Sequence, residues 1–98
     1  MSFKFEWDDN KAASNFTKHR VAFIEAKSIF EDPFHVDFYD PDHSYDEQRY
    51  VLVGQSERGR LLIVSYTERG EVVRLIGARE ATRRERESYE EGRSQNRR

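Results

Sequence analysis

Phe3-Lys4-Phe5-Glu6-Trp7 alternates apolar and charged residues, the period of a half-buried strand, and the alternation stops at Asp8-Asp9. Either aspartate can cap a helix by accepting a backbone N–H, and residues 10–19 then place Ala12, Phe16 and His19 on one face. Arg20-Val21 interrupts that helix. A second run sets Phe23, Ala26 and Phe30 on one stripe, with Ala22 and Ile29 beside it, and ends at Pro33 because the residue before a proline is pushed out of helical torsions. Residues 34–39 alternate again, with Phe34, Val36 and Phe38 against His35, Asp37 and Tyr39. After the turn-rich run from Asp40 to Asp46, three strands are predicted at about 47–56, 60–68 and 71–78. They are joined at Arg58-Gly59 and Arg69-Gly70, where glycine supplies the positive φ of a tight hairpin. Residues 80–91 form a charged third helix anchored by Ala81, Tyr89 and the alkyl part of Thr82, with Gly92 as its stop.

This order predicts an α+β fold: an antiparallel sheet with two N-terminal helices packed on one face, and a C-terminal helix. Residues 1–92 form one domain and residues 93–98 a flexible basic tail. With Arg69-Gly70 as the turn, Val64, Tyr66, Val73 and Leu75 share the core face of the last hairpin. Ile63, Ser65, Thr67, Val72, Arg74 and Ile76 share the opposite face, with Arg69 at its edge. Glu47 and Arg49 enter on the neighbouring strand, where one residue of slip exchanges the faces, so their side is open at this stage.

Composition sharpens this picture. Apolar residues are 36% of the 98-residue chain and charged residues 37%, so the core is thin and a partner covering part of the surface is expected. Nothing approaches the roughly 20 apolar residues of a membrane span, the N-terminus lacks the apolar run of a signal peptide, and a cytoplasmic protein is expected. The absence of cysteine removes thiolate metal sites and cysteine nucleophiles, and no spacing of His35 and His43 with the neighbouring aspartates matches a metal cage. Residues 1–56 carry 6 Lys and Arg against 11 Asp and Glu, whereas residues 57–98 carry 11 against 8. After Lys27 every Lys or Arg position is Arg, whose flat fork matches phosphate oxygens in pairs. The acidic run from Glu31 to Glu47 repels nucleic acid, so a phosphate-binding site is expected away from it.

Arg69 and Arg74, together with the hydroxyls of Ser65 and Thr67, therefore mark a candidate functional face. Arg79, Arg83, Arg86 and Tyr89 follow at intervals of four, three and three. Such a strip can grip phosphates or pair with Glu80, Glu87 and Glu90. His19 serves either as the cation closing a helix or as a general acid or base. Phosphate loops, dinucleotide glycine patterns and nucleophile elbows are absent.

Phe5-Glu6-Trp7-Asp8, Lys11, Asn15, Lys18-His19, Phe23 through Phe30 and Asp32-Pro33 resemble the opening of BrnT-type toxins. Glu47-Gln48-Arg49-Tyr50, Gly54, the Val-Ser-Tyr-Thr-Glu-Arg run ending at Arg69, Arg74-Leu75-Ile76, Ala78-Arg79, Ala81, Arg83 to Arg86 and Tyr89 continue the pattern in order, over about residues 5–90. The resemblance implies a RelE-like fold and a type II toxin–antitoxin system whose toxin is a ribonuclease that inhibits translation and needs no metal or other cofactor. It also implies a ribbon-helix-helix antitoxin, BrnA, a heterotetramer with that partner, and repression of the shared operon through the antitoxin's DNA contacts. The implied reaction is attack of a ribose 2′-hydroxyl on the adjacent phosphate. Arg49, Arg69, Arg74 and Arg79 are candidates for phosphate stabilisation, Glu47 and His19 for the base, and Tyr89 for an acid or a stacking ring. Ser65, Thr67, Arg83 and Arg86 are candidate RNA contacts. The alternative is a non-catalytic member that binds its antitoxin and acts as co-repressor. One residue departs from the pattern: Arg20 stands where the family has glycine, at a turn through positive φ, at a cost on the order of 1 kcal/mol.

Overall fold

The computed structural model describes residues 4–95, with Ser94 and Gln95 as backbone alone; the start of the first predicted strand at Phe3 and residues 96–98 of the predicted tail lie outside it. Strands β1 (Lys4–Glu6), β2 (Val36–Asp40), β3 (Arg49–Gln55), β4 (Leu61–Arg69) and β5 (Val72–Glu80) form one sheet in the order β1-β5-β4-β3-β2. Strands β2 to β5 pair antiparallel, but β1 runs parallel to β5 and sets Phe5 beside Val73. The α+β class holds, and the sheet is mixed rather than antiparallel. Alternation along β1 decides which side chains share a face, but says nothing of the edge or direction in which a short terminal strand docks.

Helix α1 (Asp9–His19) starts where the sequence indicates, with the Asp8 carboxylate accepting from the N–H groups of Asn10 (2.8 Å) and Lys11 (3.1 Å). Its packing differs from the expectation. Past the end of β1 the outer edge of β5 is open, and there Asn15 takes the place of a neighbouring strand. The Asn15 amide donates to the Ala78 carbonyl (2.9 Å) and accepts from the Ala78 N–H (3.0 Å), and it also donates to the Val21 carbonyl (3.0 Å). Thus α1 is fastened to the sheet edge through a polar side chain, and Phe16, expected in the core, is 44% exposed. Arg20 adopts the left-handed conformation (φ 60°), donates its N–H to the Phe16 carbonyl and stacks its guanidinium 5.3 Å from the Phe16 ring. The turn is kept despite the missing glycine.

The second predicted helix is a single turn, α2 (Phe23–Ala26), which tightens into a 3-10 stretch over Lys27–Glu31. Its stripe is as expected: Phe23, Ala26, Ile29 and Phe30 are buried with Leu52, Leu62, Val64, Tyr66, Val73 and Leu75. Gly54 on β3 passes under this stretch. A Cβ there would lie 3.0 Å from the Ile29 carbonyl oxygen and 3.2 Å from its Cβ. Gly54→Ala is accordingly expected to destabilise the fold by about 1–3 kcal/mol through overpacking, read as a lower urea midpoint with an unchanged slope.

In the β4–β5 hairpin the turn is Gly70-Glu71, and Thr67 faces Arg74 where a register two residues away was expected. A slip of two leaves the faces unchanged because side chains alternate with period two. Val64, Tyr66, Val73 and Leu75 are all in the core. A bulge then inserts one residue into β5 between the pairs Tyr66–Leu75 and Ser65–Gly77. Beyond it Gly77 and Arg79, rather than Ile76, continue the face of Ser65 and Ile63.

Helix α3 (Arg83–Gln95) lies against that second face, where Tyr89 forms a small separate core with Val53, Leu61 and Ile63. A Thr82–Glu85 box opens it: the Thr82 N–H donates to Glu85 (2.8 Å) and the Glu85 N–H to the Thr82 hydroxyl (3.2 Å). The helix continues through Gly92, where a stop is predicted, since Gly92 does not take the positive φ that ends a helix.

Candidate functional site

Helix α3 covers one end of the second sheet face. At the other end the register sets Arg49 opposite Thr67 and Thr67 opposite Arg74, with Arg69 and Glu6 beside them, so Arg49 is on the same face as Arg74. Between these ends opens a cleft of about 510 Å³ floored by Val51, Val53, Ile63, Ser65 and Gly77. Arg79 and Glu85 line it on the α3 side, His19 at the α1 edge, and Asp40 and His43 at the β2 edge. The structure therefore brings together His19, Ser65 and Arg79, although His19 precedes Ser65 by 46 residues in the chain. The fastening of Asn15 to Ala78 is what carries His19, one helical turn further along, to the cleft.

The arginines are held by carboxylates. Arg69 forks onto Glu47 (3.1 and 2.9 Å), which keeps the Glu47 carboxyl below the usual carboxylate range and Arg69 firmly protonated. Arg74 donates to Glu6 (2.9 Å). Arg79 forks onto Glu85 (2.9 and 3.0 Å), and that contact brings the Glu85 carboxyl down to about 2. Arg49 forms no ion pair among the described residues and lies on the same open face. Glu47, ionised and doubly bonded, is a weak proton acceptor and a good alignment device for Arg69.

Three other expectations change. Tyr89 is 7% exposed, and its hydroxyl donates to Asp32, which also accepts from the N–H groups of Phe34 and Gln55. Burial, and then Asp32, push the Tyr89 phenol up, so it is a structural tie between α3 and the end of the 3-10 stretch, and it does not line the cleft. Thr67 is 1% exposed with its hydroxyl donated to the Gln48 carbonyl, which removes it from the accessible face. The acidic segment, expected to lie away from the site, supplies Asp40 and His43 to the cleft wall, because β2 pairs with β3 and its following turn closes over that edge. The sequence signal for His43 is its spacing of three from Asp40, which sets the two side chains in contact (2.9 Å). Arg83 and Arg86 are exposed on α3, with Arg83 at 3.5 Å from Glu87.

Residues 7–85 match the family model described as the ribonuclease toxin, BrnT, of type II toxin–antitoxin systems. Among solved structures, the ribonuclease toxin BrnT of Brucella abortus superposes with a TM-score of 0.61, covering 84% of this chain and 100% of that one at 19% identity. No curated protein sequence matches significantly. None of the described helices is long and apolar enough to cross a membrane.

Proposed function

The chain belongs to the BrnT family of ribonuclease toxins of type II toxin–antitoxin systems, and from that premise we propose that it is a RelE-like, metal-independent endoribonuclease acting at the cleft between α1, β2 and α3. The observation that carries this reading is the convergence of His19, Ser65 and Arg79 on one cleft, with Arg49, Arg69 and Arg74 on the adjoining surface of the same sheet face. An RNA backbone crossing this face meets guanidinium groups at both ends, and those beside the reacting phosphate stabilise the charge that builds on its oxygens as the 2′-oxygen attacks. His19 is a proton-transfer group on the wall of that cleft. Ser65 contacts the backbone, and Arg83 and Arg86 extend the track along α3. The acidic N-terminal half suits a basic segment of a BrnA-like ribbon-helix-helix antitoxin in the cytoplasm, in a heterotetramer that blocks the cleft and represses the operon.

Expression of the chain alone in bacteria, beside an Arg74→Ala/Arg79→Ala variant, tests this reading. The unmodified chain is expected to arrest growth with loss of intact RNA. The variant, its fold verified by circular dichroism, is expected to lose cleavage by about 10²–10³-fold. Arrest by both keeps the toxin and rejects this arginine pair.

A second reading rests on the carboxylate partners of Arg69, Arg74 and Arg79. Cations already neutralised suit a non-catalytic member that binds its antitoxin and assists repression. Growth of both strains with soluble protein present, together with tight binding to the antitoxin, would favour it.

A further inference from the structure

We propose that His43, held by Asp40, is the general base of this cleft and that His19 is the acid opposite it; the inference rests on the ribonuclease reading and supplies the proton acceptor that reading lacks. With Glu47 locked to Arg69 and Tyr89 tied to Asp32, the acid–base residues that line the cleft are His19, Tyr39, Asp40, His43 and Glu85, and the Tyr39 ring packs edge-on against Tyr50, which belongs to the opposite, core face. Glu85 is doubly bonded to Arg79, and Asp40 is occupied by His43.

Geometry sets the tautomer. His43 Nδ1 lies 2.9 Å from Asp40 Oδ2. An ionised carboxylate only accepts, so Nδ1 carries the proton and the Nε2 lone pair is left free. The Asp40 charge also steadies the imidazolium that forms when Nε2 takes a proton, the arrangement that makes an Asp–His pair an effective base. Asp40 is thus a positioning residue. The pair stands on the short turn after β2, and the His43 side chain is 64% exposed, open to a ligand entering the cleft.

His19 lies on the facing wall, in the last turn of α1. Helix α1 stands beyond the outer edge of β5, and β5 and β2 are themselves three strand intervals, about 14 Å, apart. The cleft of about 510 Å³ between these walls is large enough to admit a ribonucleotide backbone. In the proposed step His43 Nε2 takes the proton of the ribose 2′-hydroxyl as O2′ bonds to phosphorus. The P–O5′ bond breaks, its electron pair stays on O5′, and His19 delivers a proton there. The products are a 2′,3′-cyclic phosphate and a 5′-hydroxyl end, and water returns His43 and His19 to their starting protonation states.

The purified chain and its variants are assayed on an oligonucleotide carrying a mapped cleavage site. His43→Ala is expected to lose at least 10²-fold in kcat with KM little changed and to recover activity on addition of free imidazole. Asp40→Asn is expected to lose about tenfold in kcat alone. A substrate with sulfur in place of the bridging O5′, whose thiolate leaves without protonation, is expected to restore His19→Ala but not His43→Ala. Cleavage by the unmodified chain that persists within threefold in His43→Ala, or a His43→Ala loss that imidazole does not relieve, overturns the pair and leaves the ribonuclease reading standing. Absence of cleavage by the unmodified chain overturns both.

Discussion

Replacing Glu25 by alanine is expected to destabilise the fold by about 3–5 kcal/mol, the largest loss foreseen for any single polar side chain here. Glu25 is 4% exposed at the start of the N-terminal stretch that covers the sheet. Its carboxylate accepts from Arg60 Nε (3.0 Å), from the Arg60 Nη2 and from the Ser56 hydroxyl (2.7 Å). The Arg60 contact outweighs the opposing effect of burial and lowers the Glu25 pKa. The same guanidinium bonds Glu80 (2.9 Å) and the Arg20 carbonyl (3.1 Å), so one side chain ties α2, the α1–α2 turn and β5 together. Removing the carboxylate leaves the part-buried guanidinium with only Glu80 and the Arg20 carbonyl, and the buried Ser56 hydroxyl without its acceptor, and that loss of buried polar partners dominates. For a domain of this size about 4 kcal/mol is a third or more of the total stability, and the midpoint of thermal unfolding should fall by 15 °C or more. If the design is a charge pair rather than a unique structural need, Glu25→Leu with Arg60→Met should recover most of the loss. Urea unfolding of the three proteins decides the matter, and a loss under 1 kcal/mol in Glu25→Ala would reject the argument.

Asn15→Ala is expected to cost about 2–4 kcal/mol and, with it, RNA cleavage. The substitution orphans the Ala78 N–H and the carbonyls of Ala78 and Val21, all at a buried edge. Asn15→Asp is the sharper test. It keeps the shape and the acceptor for the Ala78 N–H, yet it cannot donate to either carbonyl and places a charge against both. It should therefore be at least as damaging as alanine. Because His19 is carried on the same helix one turn later, either change frees it from the cleft, and kcat should fall further than the folded fraction does. Equal stability in Asn15→Ala and the unmodified chain would show that α1 is held by other contacts.

Much of this molecule was legible from its residues. Period-two alternation placed Val64, Tyr66, Val73 and Leu75 in the core, and it did so through a mistaken turn, because a register error of two returns every side chain to its own face. The Asp8 cap, the Phe23–Phe30 stripe and the stop at Pro33 were likewise local matters of torsion and spacing. Asn15 was legible only as part of a resemblance, since a lone amide in a helix carries no sign that it will stand in for a β-strand. Thr67 and Tyr89 were assigned by chemistry to positions that packing then sealed: a hydroxyl with a buried partner looks the same in sequence as one offered to a ligand.

By itself the sequence determined the elements and the faces of the last hairpin, because each depends on residues within one or two turns of one another, and the arginine-rich second half and the family pattern, because these are read from residue identity alone. Tertiary structure alone decided the parallel docking of β1, the bulge at Ile76 that hands the face to Arg79, the carboxylate held by each of Arg69, Arg74 and Arg79, and the placing of His19 and the Asp40–His43 pair along one cleft. These depend on which edge and which register far-separated segments choose, and that choice is made by burial and by satisfaction of backbone groups at the sheet edge, which no local pattern encodes.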